Sequence, residues 1–239
     1  MKRQTPAYSW ALVDADGTLF DFQRAEAIAL EITPTQLSVS APRQFADTFH
    51  AINAELWQAF EAGLLSARDV RTQRFRRVFE VLGLPGDPHV FSEAYLQNLI
   101  KESTFLEGAE RFLQRITSRV GLVLLTNGFA DVQHARIARL GLSDVFDHVV
   151  ISEEVGVSKP HPGVFDIAFD RMGNPAKHDV LILGDSLSSD IRGGFDYGID
   201  TCWYNPQQHV NTTNLTPTYE IRDLNEAAAI LVRQAADHD

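Results

Sequence analysis

The feature that most constrains the fold of this chain is a series of short, mostly apolar segments that each stop at polar turn residues. They are Trp10–Val13, Gly121–Leu125, His148–Ile151, Val180–Leu183 and Thr201–Tyr204. Short apolar runs without alternation are typical of strands that are buried on both faces of a sheet. Helical patterns follow them at Ala130–Leu140, Pro162–Met172, Ser188–Tyr197 and Asn225–Ala236. This alternation predicts an α/β fold, a doubly wound parallel sheet with helices on both faces.

One long segment, residues 22–101, breaks this alternation, because it contains helical patterns and no convincing strand. Ser66 is expected to cap one of its helices. Two apolar stripes recur at helical spacing: Phe45, Phe49, Ile52 and Leu56, and then Phe75, Val78, Phe79 and Leu82. We predict a helical insert of about four helices over residues 22–101, within a Rossmann-like core formed by residues 1–21 and 102–239.

Composition and charge narrow the class of protein. The 239 residues include 21 basic and 32 acidic ones, a net charge of −11, whereas a nucleic-acid-binding surface is normally basic. The single cysteine, Cys202, excludes an internal disulfide framework and a cysteine-based zinc finger. No apolar run reaches the roughly 18 residues that a membrane span needs, and no apolar signal segment follows Lys2 and Arg3. We therefore expect a cytoplasmic protein with no nucleic acid polymer or membrane as its partner.

Carboxylates follow two of the predicted strands. Asp14 and Asp16 come after the first strand, and Asp185 and Asp190 come after the fourth. Ligands of parallel sheets bind beyond the carboxyl ends of the strands, so these groups are expected to converge. Two like charges 4 Å apart repel by about 4 kcal/mol at an effective dielectric constant near 20. The site therefore needs cations, and an oxygen-rich site suits Mg²⁺ together with Lys159, which follows the third strand.

This set of residue types fits phosphoryl transfer through a covalent carboxyl-phosphate. One aspartate attacks phosphorus, and a second protonates the leaving oxygen and then deprotonates the attacking water. A metal ion and a lysine hold the phosphoryl oxygens meanwhile. The hydroxyl of Thr126 and the backbone N–H groups of Asn127 and Gly128, which follow the second strand, are candidates to bind a further phosphoryl oxygen.

The motifs together resemble the haloacid dehalogenase superfamily of phosphatases. They are Asp14-Ala-Asp-Gly-Thr-Leu19, Thr126-Asn-Gly128, Lys159-Pro160 and Gly184-Asp-Ser-x-x-x-Asp190, each at a predicted strand exit and in the order of the family. The resemblance implies a catalytic core with an inserted helical cap over residues 22–101 that selects the substrate. Dehalogenating members lack the second aspartate of the first motif, so the presence of Asp16 favours phosphate-ester hydrolysis.

The same resemblance implies a role for each motif residue. Asp14 corresponds to the nucleophile and a Mg²⁺ ligand, and Asp16 to the general acid/base that also gives its backbone carbonyl to the metal. Thr126 and Lys159 correspond to the phosphoryl-binding pair, together with the Asn127–Gly128 loop. Asp185 corresponds to the acidic Mg²⁺ ligand, and Asp190 to an outer-shell or lysine-orienting group.

Within this superfamily, the chain resembles one particular family, the pyrimidine 5′-nucleotidases that act on noncanonical nucleotides. Thr126-Asn-Gly-Phe129, Ile151-Ser-Glu-Glu-Val-Gly156, Ser158-Lys-Pro160 and Thr201-Cys-Trp203 carry it in the core, and Asn53-x-x-Leu-Trp57 and Arg74-Phe75 carry it in the cap. It implies a 5′-nucleotidase for dUMP, UMP, dTMP and altered pyrimidine monophosphates. Asn53, Trp57 and Arg74 are candidate specificity residues, although Trp57 also fits simple helix packing.

Three other interpretations stay open. A sugar-phosphate or other small-metabolite phosphatase would share the same core. A phosphate-binding regulator would keep the motifs without turnover. Gly184-Asp-Ser-Leu187 also matches the opening block of GDSL-type serine esterases, with Ser186 as nucleophile, but the Asp-x-x-His blocks of this chain lie upstream of it, at residues 47–50 and 131–134.

Overall fold

The apolar segments form one parallel sheet of six strands in the computed structural model, which describes residues 8–232. The strands are β1 (Trp10–Val13), β2 (Gly121–Thr126), β3 (His148–Ile151), β4 (Val180–Gly184), β5 (Asp200–Tyr204) and β6 (Tyr219–Ile221), in the order β3-β2-β1-β4-β5-β6. Val13 at the end of β1 pairs with Leu124 on one side and Leu183 on the other. The polar residues that follow β1, β2 and β4 therefore emerge at neighbouring points of one sheet edge, and the predicted fold class is confirmed.

Helices cover both faces of this sheet. They are α5 (Ala109–Ile116), α6 (Ala130–Arg139), α7 (Ser152–Val155), α8 (Pro162–Arg171), α9 (Arg192–Tyr197) and α10 (Leu224–Leu231). Because successive residues of a strand point to opposite faces, Ala11 and Val13 pack in one apolar cluster with α5 and α10. Leu12 packs in the other cluster with α8. The two-sided burial explains why the strands are continuously apolar in the sequence.

Residues between β1 and β2 include four helices with a core of their own. They are α1 (Phe22–Gln36), α2 (Phe45–Glu61), α3 (Ala67–Leu82) and α4 (Pro88–Glu102). The predicted stripes face inward, and the ring of Phe75 lies 5.0 Å from Phe49, 4.8 Å from Phe91 and 5.0 Å from Tyr95 between centroids. Ser66 caps α3 as predicted, in a reciprocal capping box with Asp69.

The two chain segments that connect this four-helix insert to the sheet run side by side. Phe20 and Phe105 form an antiparallel bridge. The Asp21 N–H donates to the Thr104 carbonyl at 2.9 Å, and the Leu106 N–H donates to the Leu19 carbonyl at 2.9 Å. The insert is thus attached through one narrow, hydrogen-bonded pair of segments at the carboxyl end of β1.

Some boundaries differ from the sequence predictions. Helix α5 and strand β6 were not predicted from the sequence, and β6 has only three residues. The helix predicted at Ser188–Tyr197 begins instead with a π-helical turn, Leu187–Ile191, in which the Ser186 carbonyl accepts from the N–H groups of both Asp190 and Ile191. The last predicted helix ends at Leu231, and its residues 233–236 lie outside the described residues. No helix within residues 8–232 has both the length and the apolar character to cross a membrane.

Candidate active site

A cavity lies between the carboxyl edge of the sheet and the four-helix insert. Every candidate site residue named from the sequence lines it except Thr126. The Thr126 hydroxyl lies just behind the wall, where it accepts a hydrogen bond at 3.2 Å from Gln133, which does line the cavity. The fold therefore brings the dispersed motifs of the core and the candidate residues of the insert around one space.

Three carboxylates form the acidic centre of this cavity. Asp14, Asp185 and Asp190 each offer an oxygen, and these oxygens lie within 4.8 Å of one another. Burial raises the pKa of Asp14 well above its usual range, Lys159 opposes that shift, and the charges of Asp190 and Asp185 add to it. Burial raises the pKa of Asp185 to about 7, with Asp190 as the next cause, although the residue also reaches solvent at the mouth of the cavity.

Lys159 is the cation at the centre of this cluster. Its Nζ lies 2.5 Å from Asp14 Oδ1 and 2.7 Å from Asp190 Oδ1, and it donates to the Leu125 carbonyl at 2.7 Å. Burial alone would lower the pKa of Lys159, but Asp14 and Asp190 raise it above its usual value, so the ammonium stays charged. One ammonium against three carboxylates leaves an excess of negative charge on hard oxygen donors. That donor set fits a divalent cation such as Mg²⁺.

Two glycines make room for these carboxylates. Gly17 adopts a φ of +81°, and a Cβ built on it would collide with the carboxylate of Asp185. A Cβ on Gly184 would collide with the carboxylate of Asp190. Both positions therefore need glycine because a carboxylate occupies the space of the missing side chain, and Gly17 also needs it for its left-handed backbone.

Asp16 points to a different part of the cavity from Asp14. Its Oδ1 lies 2.5 Å from Nη2 of Arg136, and its Oδ2 accepts a hydrogen bond at 2.9 Å from Gln133 Nε2. Arg136 is only 1% exposed, and its Nε donates to the Ser103 hydroxyl at 2.9 Å. The two carboxylates of the first motif thus have separate partners, which suits separate chemical roles.

Gln133 and Arg136 were not predicted as site residues. They lie one turn apart on α6, on the face that is buried together with Val132 and Ile137. A usable signal existed in the sequence, because a glutamine and an arginine occupy core-facing positions of an amphipathic helix that directly follows the Thr126–Gly128 motif.

The loop after β2 differs in part from the predicted phosphate-binding arrangement. The Asn127 side chain makes two hydrogen bonds to the backbone of Lys159, each 2.9 Å long, one with its N–H and one with its carbonyl. The Gly128 N–H donates to the Ser152 hydroxyl at 3.1 Å. Asn127 therefore fixes the loop that carries Lys159, and the Gly128 N–H already has a partner.

On the insert side, Asn53, Trp57 and Arg74 line the cavity near Phe129. The Phe129 ring lies 5.6 Å from the Trp57 ring and 5.2 Å from the Arg74 guanidinium. Arg74 is 3% exposed, yet within residues 8–232 its Nε and Nη2 have no hydrogen-bond partner, and neither does Oδ1 of Asn53. Burial lowers the pKa of Arg74. These buried polar atoms are therefore available to a ligand.

Ser186 lacks the partners of an esterase nucleophile. Its hydroxyl lies 3.2 Å from the Ser188 hydroxyl and accepts from the Ser189 N–H at 3.2 Å. Among the hydrogen bonds of residues 8–232, none joins Ser186 to a histidine. This geometry gives no support to the serine-esterase interpretation.

The chain belongs to the haloacid dehalogenase-like hydrolases, a family that matches residues 8–198. It is 34% identical over 226 residues to the pyrimidine 5′-nucleotidase YjjG of Escherichia coli, a match that covers 95% of this chain and 99% of that protein. It is also 34% identical over 215 residues to the pyrimidine 5′-nucleotidase PynA of Streptococcus pneumoniae, covering 90% and 91%. The chain is therefore an enzyme, a hydrolase of this family, and both resemblances noted in the sequence are confirmed.

Solved structures agree with this assignment. The magnesium-bound HAD-hydrolase YfnB of Bacillus subtilis has a TM-score of 0.85 and 33% identity, covering 94% of this chain and 98% of that one. The L-2-haloacid dehalogenase of Xanthobacter autotrophicus has a TM-score of 0.77 at 18% identity, covering 95% and 100%, so it is similar in fold alone.

Proposed function

We propose that this protein is a Mg²⁺-dependent phosphomonoesterase that acts through an aspartyl-phosphate on Asp14. We further propose that its substrates are small phosphate esters, with pyrimidine nucleoside 5′-monophosphates such as dUMP, UMP and dTMP preferred. The observation that carries the proposal is the buried cluster in which Lys159 lies 2.5 Å from Asp14 and 2.7 Å from Asp190. A lysine held beside a strand-end carboxylate, with further carboxylates to bind a metal, suits attack on a phosphate group.

The acidic centre supports a metal site. Asp14 and Asp185 would hold Mg²⁺ together with the backbone carbonyl of Asp16, and Asp190 would orient Lys159. Bound there, the ion would offset the carboxylate charges and those of the phosphoryl oxygens. The magnesium-bound YfnB structure is consistent with this choice of metal.

In the first half-reaction, a carboxylate oxygen of Asp14 forms a bond to phosphorus while the ester P–O bond breaks. Asp16 gives a proton to the leaving oxygen. In the second half-reaction, Asp16 takes a proton from water, which attacks phosphorus and releases phosphate and the free Asp14 carboxylate. Lys159 would bind a phosphoryl oxygen, with the backbone of Asn127 and Gly128 beside it, and the Thr126 hydroxyl, which lies behind the cavity wall, would have to be uncovered to bind another. Because the Gly128 N–H donates to Ser152, it would have to exchange that partner for a phosphoryl oxygen.

The insert, residues 22–101, would act as the cap that selects the substrate. Asn53 Oδ1 offers a buried acceptor, and the Arg74 guanidinium offers buried donors. The edge of a uracil or thymine ring carries an N–H between two carbonyls, so it can donate to Asn53 and accept from Arg74. The Trp57 ring would stack on the base. The identity to YjjG and PynA supports a pyrimidine as the base.

The test is phosphate release with Mg²⁺ from a panel of pyrimidine and purine monophosphates, sugar phosphates and an aryl phosphate. Asp14→Asn is the inactive comparison, and Asp170→Asn, an exposed residue on α8, is its matched control. We expect preference for dUMP, UMP or dTMP and loss of at least about 10³-fold in kcat in Asp14→Asn alone. Preference for a sugar phosphate would overturn the substrate class, and full activity of Asp14→Asn would overturn the mechanism.

A further inference from the structure

We propose that Arg136 and Gln133 are positioning residues that hold the Asp16 carboxylate where it transfers a proton to the leaving oxygen. This inference rests on the proposed function, since it takes Asp16 as the acid/base group. It concerns two residues that none of the four motifs contains. Both lie on α6, the helix that follows the Thr126–Gly128 loop.

The first step is the pattern of contacts at Asp16. Each of its two carboxylate oxygens has its own partner: Oδ1 lies 2.5 Å from Arg136 Nη2 in an ion pair that lacks hydrogen-bond geometry, and Oδ2 accepts a hydrogen bond at 2.9 Å from Gln133 Nε2. The Asp16 side chain is still 27% exposed, so it faces the cavity rather than being sealed behind these partners. An ion pair on one oxygen and a hydrogen bond on the other together restrict the position and the rotation of a carboxylate.

The second step is the burial of Arg136. A charge that is 1% exposed must be paired, because removal from water costs several kcal/mol per ion. Asp16 is the one carboxylate in an ion pair with Arg136 across residues 8–232. The guanidinium is fixed independently, by the Ser103 hydroxyl at 2.9 Å and by the Phe20 ring 4.7 Å below it. Arg136 is therefore a rigid support to which Asp16 is tied.

The third step is the connection through Gln133. The same Nε2 that donates to Asp16 lies 3.2 Å from the Thr126 hydroxyl, and its Oε1 accepts from Arg136 Nη1 at 3.3 Å. Gln133 thus joins the acid/base carboxylate to a candidate phosphoryl-binding hydroxyl. A proton donor must lie within hydrogen-bond reach of the leaving oxygen, and this connection sets its distance from the phosphate position.

The chemistry provides a way to isolate this role. When the ester bond breaks, its electron pair stays on the leaving oxygen, and a deoxyuridine oxygen needs the proton of Asp16. 2,4-Dinitrophenolate is a stable anion, so its oxygen leaves with the electron pair and does not need that proton. Loss of Asp16 positioning should therefore slow phosphorylation of Asp14 by dUMP and leave phosphorylation by 2,4-dinitrophenyl phosphate largely unchanged.

The experiment measures leaving-group release in the first turnover, with Mg²⁺, for the wild type, Arg136→Met, Gln133→Leu and Asp16→Asn. We expect the rate of leaving-group release in Arg136→Met to fall about 10²-fold with dUMP, the lower end of the range for general acid catalysis. With the dinitrophenyl ester it should fall by less than about 10-fold. Arg136→Lys should recover part of the loss. Arg139→Met, the same substitution at an exposed position of α6, is the matched control. Gln133→Leu should repeat the pattern with a smaller loss if Arg136→Met fails to fold.

Each result separates the alternatives. Equal losses on both substrates would assign Arg136 and Gln133 a structural role and overturn the inference. The double variant Arg136→Met/Asp16→Asn gives a second test. A positioning residue has no effect once its target is gone, so the double variant should be no slower than Asp16→Asn alone. A rate loss equal to the product of the two single losses would also overturn the inference. If Asp16→Asn itself shows no dependence on the leaving group, the proposed function fails at the acid/base step. In that case both proposals fall, and the outcome is distinct from failure of Arg136 alone.

Discussion

The two walls of the cavity differ in how their buried polar groups are matched. On the sheet side, Lys159 is paired with Asp14 and Asp190, and Arg136 is paired with Asp16. On the insert side, Arg74 is similarly buried, but in the described part of the chain it forms no ion pair, and its Nε and Nη2 have no hydrogen-bond partner. An unpaired buried donor costs free energy, so the insert wall is stabilised less by its own contacts than the sheet wall.

Under the proposed function, this difference separates the wall that carries out phosphoryl transfer from the wall that selects the substrate. The charges of the sheet wall already hold one another in position before any ligand binds, which is what a fixed phosphoryl-transfer site requires. The buried polar atoms of Asn53 and Arg74 on the insert wall have no hydrogen-bond partner within residues 8–232, so they can bind a ligand. Substitutions on the sheet wall should therefore reduce stability and activity together, whereas substitutions on the insert wall should change which substrate is bound.

The largest expected effect is the loss of the lysine from the sheet wall. Lys159→Met leaves two buried carboxylates without their cation, so we expect the free energy of unfolding to fall by about 3–5 kcal/mol. Urea unfolding monitored by circular dichroism measures it. Lys177→Met, at an exposed lysine, is the control. An unchanged midpoint in Lys159→Met would contradict the pairing described for this wall.

The next effect is the response to metal. If Mg²⁺ binds the folded carboxylate cluster and not the unfolded chain, as we propose, then one hundred times its dissociation constant should stabilise the folded protein by about 2.7 kcal/mol. Asp185→Asn should reduce that gain, and it should also stabilise the metal-free protein by removing a repelling charge beside Asp190. Thermal unfolding with Mg²⁺ and with EDTA measures both. Equal Mg²⁺ stabilisation of wild type and Asp185→Asn would exclude Asp185 as a ligand.

A smaller effect is expected on the insert wall, where the substitution should not lower the free energy of unfolding as Lys159→Met does. Arg74→Met replaces an unpaired buried charge by an apolar chain of similar volume, so stability should stay constant or rise. The ratio of kcat/KM for dUMP over an aryl phosphate should fall by about 10- to 100-fold, the value of a hydrogen bond to a charged group. Steady-state kinetics with both substrates measures the ratio. A large loss of stability in Arg74→Met would remove the contrast between the walls.

The smallest effect concerns the contact between the walls. Arg71 on α3 binds Asp131 on α6 with two hydrogen bonds of 2.8 and 2.9 Å, and it also pairs with Glu93 on α4. These partly exposed pairs should contribute about 1 kcal/mol, and the contribution should fall as salt increases. Chemical unfolding of Arg71→Met at low and high NaCl measures it, with Arg76→Met as the control. Salt-independent loss in Arg71→Met would point to packing against Phe129 instead.

The sequence predicted most of the fold because the buried strands and the apolar stripes are local patterns. The Asp14, Asp185 and Asp190 cluster followed from the rule that strand ends converge in a parallel sheet, and the structure brings their oxygens together. The core-facing position of Arg136 on α6 signals that it is buried, but it does not identify Asp16, 120 residues earlier, as the partner of its charge. The hydrogen bond from the Gly128 N–H was missed for a similar reason, because its acceptor, Ser152, follows β3 and lies 24 residues later in the chain.

The side-by-side connections of the insert have a consequence for how the chain folds. Val13 and Leu124 pair in the neighbouring strands β1 and β2 although more than one hundred residues separate them, so closing that loop is entropically costly. An insert that folds first brings Asp21 and Thr104 together and leaves only short segments on either side to close. Shortening the effective loop about fourfold lowers the closure cost by about 1 kcal/mol, at about 0.6 kcal/mol for each halving. Early folding of the four helices would thus accelerate formation of the β1–β2 pair on which the active site is built.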